Sequence, residues 1–219
     1  MFHHCPPLIL EDIPSQTLPS GKRFYTLPDG SRVPSVTTVL GVRKKQGIID
    51  WKKRVGEDEA RKIIKTASGR GTGMHALCED YLNNKPLRTS MPDAKEMFLD
   101  IKPHLNRISD IWYEEQAVYS KALQLAGRVD CVAHYDGVLS IIDFKTARKH
   151  KKREYVLDYF AQCCAYSYMI EELVGVEVPQ IVILMGVTGE KPQVFIEKTE
   201  DHVEYLLESI KIYKESLSV

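Results

Sequence analysis

Helical periodicity dominates the first half of this chain, and period-two alternation of apolar and polar residues takes over after Trp112. The opening residues, 1–20, are rich in proline and read as irregular. A small hairpin is predicted over 24–33, turning at Pro28-Asp29-Gly30. Ser35 is placed to cap a short helix over 36–40 that Gly41 ends. A basic helix follows over 48–66. Gly69, Gly71 and Gly73 then suggest a turn opening a helix that runs to about Asn83, and a further helix covers 92–110. Strands are predicted at 112–120, 125–135 and 138–145, a helix at 154–174, strands at 178–187 and 193–196, and a closing amphipathic helix at 201–217. This order predicts an α/β fold, a mixed β-sheet core flanked by helices over 111–219. Residues 1–110 would add a mostly helical, basic N-terminal lobe to the same compact unit.

The central hairpin can be aligned on paper. Asp136-Gly137 between two apolar runs specifies a two-residue turn, so Tyr135 faces Val138. Counting back along that register, Val132 faces Ile141 and Asp130 faces Asp143. Alternation puts Asp130, Val132, Ile141, Asp143 and Lys145 on one face, with Arg128 opposite Lys145. Val129, Cys131, Ala133, Ile142 and Phe144 take the other face. Opposed carboxylates repel by on the order of 3 kcal/mol at an effective dielectric of ~20. A shared proton, an ion pair with Lys145 or a hard divalent cation would each offset that cost, and oxygen ligands favour Mg2+. Glu115, on the preceding strand, could add a third carboxylate or be an exposed strand acid. His75 and Glu79, four apart on the helix after the glycine run, share a face, and His75 is a candidate ligand. The glycines form no Walker loop, but the amides of a helix beginning there could meet a phosphate.

Composition narrows the setting. The 219 residues carry 30 Lys/Arg and 30 Asp/Glu, so net charge says nothing about an anionic partner. Its distribution does. From Arg43 to Arg70 there are ten basic residues against four acids, and from Lys145 to Arg153 six against none. Five cysteines without a C-x-x-C pair argue for reduced thiols in an intracellular protein and against a zinc or iron–sulfur centre. No apolar run approaches membrane-span length. The first residues show neither a signal-peptide core nor a transit pattern, so a cytoplasmic protein of bacterial or phage origin is expected.

Five ordered segments together resemble the PD-(D/E)XK nuclease superfamily in its RecB-like branch. They are His75, Glu115, Gly127-Arg128-Val129-Asp130, Ile142-Asp143-Phe144-Lys145-Thr146 and Gln162-Cys163-Cys164-Ala165-Tyr166. Leu27-Pro28-Asp29-Gly30 and Val33-Pro34-Ser35-Val36-Thr37-Thr38 resemble the N-terminal segment of a group of exonucleases in that branch with mitochondrial and phage members. The four-cysteine pattern of its iron–sulfur relatives is missing. The resemblance implies a restriction-endonuclease-like core and cleavage of single-stranded DNA from free ends with Mg2+ or Mn2+. By it, Asp130, Asp143, the Phe144 carbonyl and His75 would hold metal, Glu115 would act beside them and Lys145 would assist attack by water. Gln162, Tyr166, Thr146, Arg128 and Arg70 would contact DNA, with Tyr25, Trp51, Lys52, Lys53 and Arg54 along the strand. A duplex-processing or structure-specific nuclease shares this core, and a catalytically dead binding module is the third reading. No protein partner is expected.

Overall fold

The computed structural model describes residues 1–217. Its centre is a five-stranded sheet, β4 (Ile108–Ser120), β5 (Leu125–Tyr135), β6 (Val138–Ala147), β7 (Gln180–Val187) and β8 (Glu190–Lys198), in that spatial order. Neighbours are antiparallel except β6 and β7, which run parallel. A parallel pair needs a crossover, and α5 (Leu157–Val174) supplies it. Three short strands, β1 (Ser15–Thr17), β2 (Arg23–Thr26) and β3 (Arg32–Pro34), form a separate small sheet.

Both faces of the large sheet are covered, which explains the long apolar runs in β6 and β7. On one face, Val132, Ile141, Ile181 and Ile183 pack with Phe160, Cys163 and Cys164 of α5. The short α1 (Val36–Leu40) and the closing α6 (Val203–Glu215) join this layer. On the other face, Cys131, Ala133, Ile142, Phe144, Val182 and Leu184 meet α3 (Glu57–Leu82) and α4 (Pro92–Leu105). Residues 74–105 thus share a core with the sheet, and a boundary at 110 falls inside β4. Ser35 caps α1 as expected, its side chain accepting from the Thr38 N–H at 3.1 Å.

Several elements differ from the expectation. The basic helix is two helices, α2 (Lys45–Val55) and α3, broken at Gly56 with φ +85°, a conformation open chiefly to glycine. Residues 69–73 form no turn; they lie inside the 26-residue α3, so no helix start is available there for a phosphate. Glycine in a helix costs roughly 1 kcal/mol relative to alanine, and packing explains its use. A Cβ on Gly73 would meet Ser90 Oγ at 2.6 Å and Ala94 Cβ at 3.0 Å, so glycine lets the chain around α4 approach α3 closely. Helix α4 stops at Leu105, and 108–110 are strand because Ile108 pairs with Tyr135 and Ser109 with His134. The opening residues are not wholly irregular, since β1 pairs with β2 and His4 bridges Ile111. No helix among the described residues is long and apolar enough to cross a membrane.

Candidate active site

The β5–β6 ladder has the register that the Asp136-Gly137 turn dictates: Tyr135 with Val138, Val132 with Ile141, Cys131 with Ile142. One step on, the strands part at Asp130 and Asp143. Asp130 Oδ2 accepts the Phe144 N–H at 2.8 Å, so a carboxylate takes a donor that a continued ladder would have given to backbone. On the β4 side, Glu114 pairs with Cys131 and Gln116 with Val129, which sets Glu115 level with Asp130. Glu115 sits at φ +46°, a left-handed conformation costly for a non-glycine residue. Acids on three adjacent strands therefore share one rung, and the ladder is interrupted there on both sides. The interruption also corrects the alternation: Val129 packs on the α5 side with Val132, not with Cys131.

Helices on the two faces close on this rung. From α3, His75 brings Nδ1 to 3.4 Å from Asp130 Oδ2, and its ring meets Phe144 edge-on at 5.9 Å. One ligand atom from each of His75, Glu115 and Asp130 lies within 4.8 Å of the other two. Asp143, 1% exposed, is held toward α5: Lys145 Nζ forms an ion pair with Oδ2, and Gln162 Nε2 donates to Oδ1 at 3.1 Å. Gln162 also reaches Tyr166 Oη at 3.3 Å, and both side chains are buried. A Cβ on Gly127 would lie 2.5 Å from the Tyr166 ring, so glycine at 127 makes room for Tyr166.

Burial is the first influence on the acids of this site, and neighbouring charge the second. Burial, reinforced by Asp130, pushes the Glu115 carboxyl up to about 7. Burial raises Asp143 to about 6 against the pull of Lys145. Burial opposes the Lys145 ammonium, but Asp143 and Asp130 together outweigh it, and its pKa is raised. Clustered carboxylates and one imidazole suit a hard or borderline divalent cation such as Mg2+ or Mn2+. His75, Glu115 and Asp130 fit that role, while both oxygens of Asp143 are turned to Lys145 and Gln162.

The remaining expected residues are dispersed. Arg128 turns away from Lys145: Nη2 holds both Asp12 oxygens, at 2.7 and 2.9 Å, while Nη1 donates to the Glu115 carbonyl. It props the backbone of Glu115. Tyr25 is 2% exposed in the small core beside Leu27 and Val33, leaving no ring face for a base. Trp51 is half-buried and Lys52, Lys53 and Arg54 are exposed on α2, none of whose residues is buried. Thr146 faces α3, its Oγ1 3.7 Å from where a Gly71 Cβ would stand. Arg70 is 6% exposed, its Nε without an acceptor among the described residues.

Arg70 belongs to a cleft of about 990 Å³ where the two basic blocks meet. Lys62 and Arg70 line it from α3, and Arg148, Lys149, His150 and Lys151 line it from the loop after β6. Tyr159, which the sequence reading passed over, links this loop to the catalytic rung. Its hydroxyl accepts from Lys151 Nζ at 2.8 Å, and Lys145 Nζ lies 5.1 Å from its ring centroid. The available signal was helical spacing, since Tyr159, Gln162 and Tyr166 share one face of α5.

The sequence profile of the PD-(D/E)XK nuclease superfamily matches residues 54–212. The human mitochondrial genome maintenance exonuclease 1 is 31% identical over 130 residues, covering 54% of this chain and 38% of that protein. The same-named protein of Xenopus tropicalis is 30% identical over 138 residues, covering 58% of this chain and 39% of its own length. The matched segment thus spans under half of these relatives. A solved structure from Eubacterium rectale superposes with a TM-score of 0.47 at 13% identity, over 67% of this chain and 64% of that one. With its profile match running from α2 to α6, the chain belongs to the PD-(D/E)XK nuclease superfamily.

Proposed function

We propose that this protein is a Mg2+-dependent exonuclease that degrades single-stranded DNA from free ends. The observation that carries the reading is the rung of Glu115, Asp130 and Asp143, joined by His75 and Lys145 and linked through Tyr159 to a cleft whose basic residues outnumber its two acids, Glu59 and Asp93. A divalent ion held there would supply Lewis-acid charge to a phosphodiester and acidify a bound water. The protein's own groups do the rest. Lys145, anchored by Asp143 and faced by Tyr159, is placed to orient the attacking water and to balance charge developing at phosphorus. Gln162 fixes the Asp143 carboxylate and Arg128 fixes the strained backbone of Glu115, so both acids are oriented before substrate arrives. Arg70, Arg148, Lys149 and Lys151 would carry phosphates along the cleft. Trp51 with Lys52, Lys53 and Arg54 on α2 offers a stacking and backbone surface for an entering strand.

Action at ends is supported by the exonuclease relatives and by α2, whose residues stay unburied on a lobe that leads into the helix bearing His75. Circular single-stranded DNA tests it. The circle should resist digestion in Mg2+ while the linearised molecule is degraded, followed with end-labelled single-stranded and duplex controls. Equal loss of circle and linear form would overturn the end requirement and leave a nuclease of another specificity. Preference for the duplex control would favour a duplex-processing enzyme instead.

The Tyr166–Gln162–Asp143 chain gives a second expectation. Gly127→Ala drives a methyl into the Tyr166 ring and should cost about 1–3 kcal/mol of stability through overpacking. Through Gln162 it should also lower kcat roughly tenfold or more at saturating DNA. A variant with lowered melting temperature but unchanged kcat would show that Tyr166 does not position Asp143.

A further inference from the structure

A second cluster of His, Cys and Asp side chains, close enough to share one metal ion, lies near the start of β4, on residues the nuclease reading does not use. The first residues run beside that strand as an added one. The Ile111 N–H donates to the His3 carbonyl and the Cys5 N–H to the Ile111 carbonyl, each at 2.8 Å. Extended backbone sends alternate side chains to opposite sides. His4 goes one way, its Nε2 2.9 Å from Glu114 Oε2. His3 and Cys5 go the other. Asp110 meets them there, at φ +44° in the irregular stretch of β4 between Ser109 and Tyr113. His3 Nδ1 lies 3.1 Å from Asp110 Oδ1, and one ligand atom from each of His3, Cys5 and Asp110 lies within 4.8 Å of the other two.

We propose that His3, Cys5 and Asp110 form a second metal site, selective for Zn2+, that clasps the N-terminal strand to β4. Sulfur, imidazole nitrogen and carboxylate oxygen are donors zinc combines, whereas Mg2+ takes oxygen and disfavours sulfur. The catalytic rung has no thiolate, so the two sites should sort metals by chemistry. Bond lengths of ~2.0–2.3 Å place the ligand atoms of a tetrahedral zinc roughly 3.3–3.8 Å apart. His3 and Asp110 are exposed and can close that difference by side-chain rotation, and water can take the fourth position. The competing account is a surface ion pair between His3 and Asp110, with the thiol a bystander.

Cobalt(II) separates the two, because a thiolate ligand gives a near-ultraviolet charge-transfer band that oxygen and nitrogen ligands do not. Titration of the full chain should produce that band, and Zn2+ should displace it. Cys5→Ser should abolish the band while melting like the parent protein in EDTA, which shows that the variant still folds. Asp110→Asn should weaken Zn2+ binding by roughly tenfold or more. Cys78, Cys131, Cys163 and Cys164 are fully buried and offer no competing thiolate at the surface. Absence of the band in the parent protein, or its survival in Cys5→Ser, would overturn the proposal.

Discussion

Asp143→Asn and Lys145→Ala should each lower DNA cleavage by about a thousandfold or more, with single-strand affinity held within a few-fold. The division follows from placement. Asp143 and Lys145 form a buried pair at the parted rung, whereas the phosphate-binding candidates line a cleft built from α3 and the loop after β6. Asp143→Asn removes a carboxylate from the proposed metal set yet can still accept from Gln162 Nε2. Lys145→Ala is the harsher change, because Asp143 is then left 1% exposed without its cation. Breaking a buried pair this way costs roughly 3–5 kcal/mol unless the orphan takes up a proton. Melting should therefore be followed beside the kinetics. Cleavage near the parent rate in either variant would remove these residues from the chemistry. Affinity falling in step with activity would remove the division between catalysis and binding.

A metal-dependent rise in melting temperature, absent in Asp130→Asn, is the second large effect. At a hundred times its Kd, a bound ion stabilises the folded state by about 2.7 kcal/mol. For a chain of this length that corresponds to roughly 5–10 °C. Asp130→Asn keeps an oxygen to accept the Phe144 N–H and deletes a negative charge beside Glu115 and Asp143. It should therefore melt above the parent without metal and gain nothing from Mg2+. The pH dependence has a defined sign. Glu115 and Asp143 have folded pKa values of about 7 and about 6, above their ordinary values, so the metal-free fold favours their protonated forms. Their contribution to stability is complete below pH 4 and is lost as pH rises through 6 and 7. Over the same interval Mg2+ should stabilise progressively more, because its ligands ionise. A Mg2+ shift that stays constant from pH 5.5 to 8 would contradict this arrangement of acids.

The Asp136-Gly137 turn set the β5–β6 register as far as Cys131 with Ile142, because turn geometry and period-two alternation act between near neighbours; one step on the strands part, and Asp130 turns to His75 while Asp143 turns to Lys145 and Gln162. The Ser35 cap was legible for the same reason. The family resemblance rested on motif residues in order, and the profile match over 54–212 agrees with it.

Tertiary structure decided the rest. The glycines at 69, 71 and 73 looked like a turn because local preference disfavours them in helices, but close packing between α3 and the Ser90–Ala94 region outweighs that preference at Gly73. Arg128 left the hairpin face for Asp12, a partner 116 positions away that no local pattern could supply. Tyr25 is core rather than platform because β5 covers the small N-terminal sheet. The parallel β6–β7 pair requires a crossover, and only its placement brings Gln162 onto Asp143 and Tyr159 onto Lys145. The sequence by itself determined that Asp130 and Asp143 fall level on adjacent strands, a nearest-neighbour property of one hairpin. Which helices close over those acids, and which basic residues share their cleft, depended on packing between segments far apart in the chain.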